Sequence, residues 1–176
     1  LGGIGISIVQ GARIAGAGKI IVSDPVAERR EAAIHFGATY TINPDEDEVV
    51  PKVLEETKAI GVDYAFEAAG VASLVDTCIN ASRIGGTTVI VGADASLSTV
   101  QILPVLIATM GKKIIGSLLG DCHPQRDIPN FVNLWKSGQL DLEAMISHRV
   151  KLEEINSGFQ NVRETNGIRT VVEVGA

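Results

Sequence analysis

The sequence predicts an α/β fold in which helices cover both faces of a doubly wound parallel sheet. Three observations lead to this prediction. Short β-branched runs alternate with helical patterns about every 20–25 residues. Each run ends at a glycine, a proline or a small residue, which are signals of a strand end. A glycine-rich turn, Leu1-Gly2-Gly3-Ile4-Gly5, opens the first apolar helix. Right-handed crossovers between the strands would then fix the topology.

The first half of the chain supplies the regular helix–strand units. Apolar residues of the first helix recur at helical spacing, at Ile4, Ile8, Val9, Ala12 and Ala15. Gly37 is a signal for the end of the second helix, and Gly85-Gly86 is expected to break the fourth helix before the last strand of this half. The predicted helices cover residues 4–17, 26–36 and 71–82, and a further helix follows the acidic run of residues 45–48 and reaches about residue 60. The predicted strands cover residues 19–23, 38–42, 63–67 and 87–91.

The second half is less regular. Its predicted helices cover residues 102–110, 128–137 and 152–163, and its predicted strands cover residues 112–119 and 168–174. We expect residues 1–120 to form the sheet domain. We expect residues 121–176 to form a C-terminal segment that returns to a domain absent from this chain.

Composition limits the function classes. The formal net charge is −6 over 176 residues, and the basic residues are scattered, which argues against a nucleic-acid partner. The sequence contains no uninterrupted apolar stretch of about 20 residues, so no membrane-spanning helix is expected. Two cysteines are too few for a disulfide framework, and a reducing cytoplasmic location is the plain inference.

The glycine turn and Asp24 together form the most informative pattern. Asp24 follows Gly5 by 19 residues, at the end of the next predicted strand. Rossmann domains place glycines against a dinucleotide pyrophosphate and a carboxylate on the adenosine ribose in this arrangement. A complete Gly-x-Gly-x-x-Gly pattern needs a glycine and a strand before Leu1, so the chain is expected to be truncated before its first strand. Glycine used only for packing, and Asp24 used only as a helix N-cap, remain alternatives.

Asp24 favours NAD over NADP, because its carboxylate would repel a 2′-phosphate. Arg29 could reach the ribose or pyrophosphate, or it could simply lie on a charged helix surface. Two further predicted strands end in small residues, Ala68-Ala69-Gly70 and Val91-Gly92-Ala93. These residues would leave room for a nicotinamide, although glycine and alanine are common at strand ends in any case.

The sequence shows no catalytic constellation. Glu67 ends a predicted strand and could face the cofactor, but it lacks an evident partner. A metal site at Asp121-Cys122-His123 is disfavoured, because adjacent residues rarely bind one ion together. Cys78 is expected to belong to the core rather than to act as a nucleophile.

The order of these pieces resembles the C-terminal, cofactor-binding portion of the zinc-dependent medium-chain alcohol dehydrogenases. The stretches that carry the resemblance span nearly the whole chain. They are LGGIGISIVQGARIAGAGKIIVSDP, HFGATYTINP, GVDYAFEAAG, GGTTVIVG and INSGFQNVRETNGIRTVVEV.

This resemblance implies hydride transfer between NAD and an alcohol or a hydroxymethyl–thiol adduct. An alcohol would be interconverted with an aldehyde or a ketone. The glycine turn and Arg169 would contact the pyrophosphate, and Asp24 the adenosine ribose with Arg29 nearby. Val91 and Ala93 would flank the nicotinamide carboxamide, with Leu119 near the same end. The residues expected to bind the cofactor are Gly2, Gly3, Ile4, Gly5, Asp24, Arg29, Ala69, Val91, Gly92, Ala93, Leu119 and Arg169.

In this family a zinc ion polarises the substrate oxygen. Its ligands would lie upstream of Leu1, so zinc is expected in the parent protein only, and this chain alone is expected to be inactive. A homodimer formed through residues 87–91 and the neighbouring strands is also implied. Two alternatives remain, a zinc-free quinone or enoyl reductase of the same superfamily and a dinucleotide-sensing domain that performs no chemistry.

Overall fold

A computed structural model describes residues 1–93 and 98–175. In this part of the chain helices alternate with strands, as predicted. The helices are α1 (Gly3–Ile14), α2 (Ala27–Phe36), α3 (Val49–Glu56), α4 (Ala72–Ala81), α5 (Pro104–Met110), α6 (Pro124–Lys136) and α7 (Ile155–Arg163). The strands are β1 (Ile21–Ser23), β2 (Tyr40–Ile42), β3 (Val62–Glu67), β4 (Ser82–Ile90), β5 (Lys113–Gly116), β6 (Ile146–Lys151) and β7 (Arg169–Glu173).

The chain folds as two compact units. Unit 1 comprises Leu1–Thr41 and the described residues from His123 onward, and unit 2 comprises Ile42–Cys122. The domain boundary expected near residue 120 concerns a longer parent protein and stays a prediction.

Unit 1 has its core where α1, β1 and α2 pack together. Strands β1 and β2 form a two-stranded sheet, and β6 and β7 form a parallel pair against which α7 packs. The side chains of the core cluster are Ile6, Val9, Ile20, Val22, Ala33, Phe36, Ala38 and Met145. Apolar burial of this kind provides most of the driving force for folding, and it sets α1 and β1 side by side.

Unit 2 contains a three-stranded parallel sheet in the order β3-β4-β5. Helix α4 packs on β3 and β4 and buries Val75 and Ile79, and α3 packs on α4. The central strand β4 has a partner along each of its edges. The parallel pairing confirms the α/β class that the alternating pattern predicted.

Two predictions around α4 and β4 were wrong. We expected Gly85-Gly86 to break the helix and a strand to begin at Thr87, whereas α4 ends at Ala81 and β4 begins directly after it at Ser82. A Cβ atom at Gly86 would lie 2.9 Å from the carbonyl oxygen of Arg83 and 3.1 Å from that of Val62. The glycine therefore lets two backbones approach within the strand, beside a shift in the β3–β4 register.

Other boundaries also differ from prediction. The helix expected to reach residue 60 ends at Glu56, and Lys58 and Ala59 adopt left-handed φ values of 54° and 62°. Strand β5 ends at Gly116, before a 3-10 turn at Leu119–Asp121. Helix α6 begins at Pro124 rather than at residue 128. Strand β6 was missed, because ISHRVK is rich in polar residues.

Candidate functional site

The glycine turn lies beside the C-terminal strand of unit 1. Gly2 is the N-cap of α1, and its carbonyl accepts the first helical hydrogen bond from Ile6 at 3.0 Å. A Cβ atom at Gly3 would lie 2.7 Å from Nη2 of Arg169, so the guanidinium rests directly on the glycine. A helix N-terminus presents backbone N–H groups without helical partners and the positive end of the helix dipole. The turn and Arg169 therefore form a cationic surface that suits a phosphate group.

Asp24 lies at the end of β1 and is only 7% exposed. Its Oδ1 accepts a hydrogen bond from the backbone N–H of Val26 at 2.9 Å, and its Oδ2 lies beside the backbone nitrogen of Leu1. Val26, not Asp24, is the N-cap residue of α2. The carboxylate thus fixes an Asx turn after the strand and stays beside the first residue of the glycine turn.

Arg29 contacts the segment that leads into β7. Its Nε and Nη2 atoms donate to the carbonyl oxygen of Gly167 at 3.3 Å and 3.2 Å. The backbone N–H of Ile168 donates to Oγ of Ser147 at 2.8 Å. These contacts anchor the turn before Arg169, and Arg29 lines a small cavity of about 60 Å³ with residues 161–162 and 166–170. The structure therefore gives Arg29 an anchoring contact, and its role toward a ribose stays a prediction.

The predicted site residues of unit 2 other than Leu119 lie at the ends of β3 and β4. The carbonyl of Glu67 accepts hydrogen bonds from the backbone N–H groups of Val91 at 2.8 Å and Gly92 at 3.0 Å. A Cβ atom at Gly70, which has φ +74°, would lie 2.8 Å from the carbonyl oxygen of Ala93. The two strand ends therefore meet through their backbones, which brings Ala69, Val91, Gly92 and Ala93 into one short region.

The buried carboxylate of Glu67 holds this region together, and sequence reasoning missed that role. The side chain is 2% exposed, and Oε1 accepts hydrogen bonds from the backbone N–H groups of Ala69, Gly70 and Val71 at 2.8, 2.8 and 3.3 Å. We considered Glu67 only as a group facing a cofactor. The sequence signal for this role was a carboxylate followed directly by the small residues Ala68-Ala69-Gly70. Such a pattern suits a loop that folds around a hydrogen-bond acceptor.

Cys78 lies on α4 within the electrostatic reach of Glu67. Burial, and secondarily the charge of Glu67, raise the pKa of the Cys78 thiol to about 11. The residue is therefore a neutral thiol at physiological pH. It is only partly buried and is not among the buried residues of the core, where we expected it.

Leu119 is 85% exposed and begins the 3-10 turn with φ 51°. Its predicted place near a nicotinamide stays a prediction. Residues 94–97, which follow the predicted Val91-Gly92-Ala93 segment, lie outside the described residues.

Residues 1–93 and 98–175 contain no group of three or more His, Cys, Asp or Glu side chains arranged to hold a metal ion. Asp121, Cys122 and His123 thus form no such group. In the same described ranges, every helix is too short or too polar to span a bilayer.

Comparison with known proteins agrees with this geometry. The sequence profile described as Zinc-binding dehydrogenase matches residues 3–137. An NDMA-dependent alcohol dehydrogenase of Amycolatopsis methanolica is 38% identical over 175 residues, which are 98% of this chain and 47% of that protein. An S-(hydroxymethyl)glutathione dehydrogenase of Escherichia coli O1:K1 is 36% identical over 174 residues, with the same coverage. The chain thus spans about half the length of the relatives that it matches.

Solved structures give the same result for the fold. An alcohol dehydrogenase zinc-binding domain protein from Burkholderia ambifaria superposes with a TM-score of 0.94 at 32% identity, covering 99% of this chain and 47% of that one. A zinc-binding dehydrogenase from Sinorhizobium meliloti 1021, solved bound to NADP, superposes with a TM-score of 0.87 at 31% identity, covering 97% and 49%. This chain belongs to the zinc-binding dehydrogenase family, of which it represents the Rossmann-like, cofactor-binding portion.

Proposed function

We propose that this chain is the NAD-binding part of an oxidoreductase that transfers hydride between NAD and an alcohol or a hydroxymethyl–thiol adduct. The observation that carries the proposal is the guanidinium of Arg169 resting on Gly3 at the N-terminus of α1, with the Asp24 carboxylate at the adjacent end of β1. This set combines the two groups that dinucleotide recognition needs, a donor-rich phosphate cradle and a carboxylate for a ribose.

Each group has a separate role in binding. The backbone N–H groups of Gly3, Ile4 and Gly5 would donate to the pyrophosphate, and Arg169 would neutralise its charge. Asp24 would accept hydrogen bonds from the adenosine ribose hydroxyls. In unit 2, Ala69, Val91, Gly92, Ala93 and Leu119 would contact the nicotinamide. Bound NAD would supply the hydride acceptor, and the residues of this chain would orient it and neutralise its phosphates.

The preference for NAD follows from the charge of Asp24, which would repel a 2′-phosphate. The related Sinorhizobium meliloti structure with bound NADP makes this preference a point to test. We propose titrating the full-length protein with NADH and with NADPH by calorimetry. NADH is expected to bind more tightly than NADPH. Asp24→Asn is expected to reduce the difference between the two affinities. Glu28→Gln, which removes an exposed carboxylate from the next helix, is the matched control and should leave both affinities unchanged.

The chemistry is tested on the same preparation by elemental analysis for zinc and by alcohol oxidation with NAD. Bound zinc together with NAD-dependent turnover would support the proposal. Tighter binding of NADPH without zinc would favour a zinc-free quinone or enoyl reductase. Binding of NADH with neither zinc nor turnover would favour a dinucleotide-sensing domain.

We also propose that the full-length protein is a cytoplasmic homodimer. Two cysteines, both free thiols in the described part of the chain, suit a reducing compartment. Strand β4 has partners on both edges, so a second copy would pair along a neighbouring strand, and β5 at the edge of its sheet is the better candidate. Residues 121–176 would return to the catalytic domain of the same protein.

A further inference from the structure

We propose that Glu67 is a positioning residue that sets the backbone of the nicotinamide-side loops, and that Gly92 is the matching position that admits its carboxylate. This inference rests on the proposed function, because it concerns how one end of the cofactor is held. It assigns a role to a buried acid that the proposed hydride transfer does not use.

The Glu67 carboxylate bonds to the loop that follows its own strand. Its Oε1 accepts hydrogen bonds from three consecutive backbone N–H groups, those of Ala69, Gly70 and Val71. The side chain therefore turns back onto its own loop. A charged acceptor that is 2% exposed makes stronger hydrogen bonds than a neutral one, because little water competes with it. The loop after β3 is folded around this carboxylate.

Glu67 also contacts the end of the neighbouring strand β4. The Glu67 carbonyl accepts from Val91 and Gly92, and a Cβ atom at Gly92 would lie 2.6 Å from Oε2 of Glu67. The same Cβ atom would lie 2.2 Å from the backbone nitrogen of Gly70. Any side chain at this position would push the loop and the carboxylate away. Glu67 and Gly92 therefore fix the distance between the two strand ends.

Nicotinamide binding would depend on how firmly the loops after β3 and β4 are held. The backbone N–H groups of residues 69–71, Val91 and Gly92 already donate to Glu67. The carbonyl oxygens of residues 69–71 and 91–93 would therefore be offered to a flat carboxamide, and such acceptors discriminate only when their positions are fixed. Weakening Glu67 should therefore loosen the grip on the nicotinamide. The phosphate and ribose contacts of unit 1 use other residues, so the adenosine diphosphate part should bind as before.

The experiment compares two ligands on the full-length protein. NADH carries the nicotinamide and ADP-ribose lacks it, and both would use the residues proposed for phosphate and ribose. The variants are Glu67→Gln, which removes the charge at nearly the same volume, and Gly92→Ala, which keeps the carboxylate but displaces the loop. The control is Asp63→Asn, which lies on the same strand in an exposed ion pair with Arg83.

For both variants we expect the Kd of NADH to rise by about tenfold while that of ADP-ribose stays within about twofold of wild type. The fluorescence enhancement of bound NADH should also be smaller in both variants than in wild type. Asp63→Asn should match wild type in both Kd values and in this enhancement. Thermal melting identifies a variant that fails to fold, in which case the other variant decides the test.

Three results would overturn the inference. Unchanged NADH binding in a folded variant would show that the loop does not depend on these residues. Equal losses of NADH and ADP-ribose would show a general structural role. Wild-type protein that binds neither ligand would refute the proposed function, and this inference with it. The first two results, obtained with a wild type that binds both ligands, would refute the inference alone.

Discussion

Gly3 shows how one missing side chain can create a binding surface. The guanidinium of Arg169 occupies the space that a Cβ atom at position 3 would need, although Arg169 is 166 positions away in the sequence. The end of a long side chain can move, so a methyl group at position 3 would displace the guanidinium without breaking α1. The position is therefore expected to matter more for ligand binding than for stability.

We predict that Gly3→Ala weakens NADH and ADP-ribose binding together, by about tenfold, because it displaces the cation from the phosphate cradle. Isothermal titration of the full-length protein measures both affinities. The matched control is Gly11→Ala on the same helix, where an added Cβ meets nothing within 4 Å. This control should keep wild-type affinity and gain about 0.5–1 kcal/mol of stability. Equal affinities for Gly3→Ala and wild type would contradict the role of Arg169.

Gln10 is a buried residue that pattern reasoning assigned no role. Its amide donates to the carbonyl of Asp141 at 3.1 Å and accepts from the backbone N–H of Asp141 at 2.7 Å, with Met145 beside it. A polar residue on an apolar helix face is a weak signal by itself. Its meaning depends on a partner more than 100 positions away.

At the scale of the element, α6 begins earlier than its apolar pattern predicts because its start is stabilised by a side chain. Oδ2 of Asp127 accepts a hydrogen bond from the backbone N–H of His123, the N-cap residue, at 2.7 Å. Arg126 donates to both oxygens of the same carboxylate. These contacts, with that of the Arg126 side chain the largest, lower the pKa of Asp127 to about 2.

We predict an acid-dependent loss of stability from this carboxylate. Its folded pKa lies below the ordinary value of 3.8, so the stabilisation is present above pH 4 and disappears as the pH falls toward 2. Melting temperatures measured between pH 2 and pH 6 should fall less steeply on the acid side for Asp127→Asn than for wild type. Glu153→Gln, at an exposed acid of the same unit, should follow the wild-type curve. Parallel curves for Asp127→Asn and wild type would rule out this contribution.

At the scale of the whole molecule, assembly should depend on the exposed edge of unit 2. Ile115 on β5 is 48% exposed, although it is a large apolar residue in the middle of a strand. An edge strand with such a residue is suited to pairing with a second copy. The same edge would be a liability for aggregation if it stayed uncovered.

We predict that Ile115→Lys weakens the proposed dimer of the full-length protein by at least about tenfold, or abolishes it, because a charge would be buried at the paired edge. Sedimentation equilibrium measures this change. Ile60→Lys, at another exposed isoleucine of unit 2, is the control and should keep the wild-type assembly. A wild-type monomer, or an Ile115→Lys dimer of full strength, would contradict the proposal.

The sequence by itself determined the class of the fold and the identity of the family. Alternating β-branched runs and helical patterns are local signals, and the glycine turn with Asp24 is readable because its spacing is set by one helix and one strand. The strands at residues 63–67 and 168–174 could be predicted within one or two residues for the same reason.

Only the tertiary structure decided which distant groups meet. It set Arg169 on Gly3, attached Gln10 to Asp141 and joined the two strand ends around Glu67. It also paired β6, whose polar sequence gave no strand signal, with β7. The physical reason is that local pattern reports how a segment buries its own face. Backbone close approaches and buried hydrogen bonds depend on which segments the packing brings together.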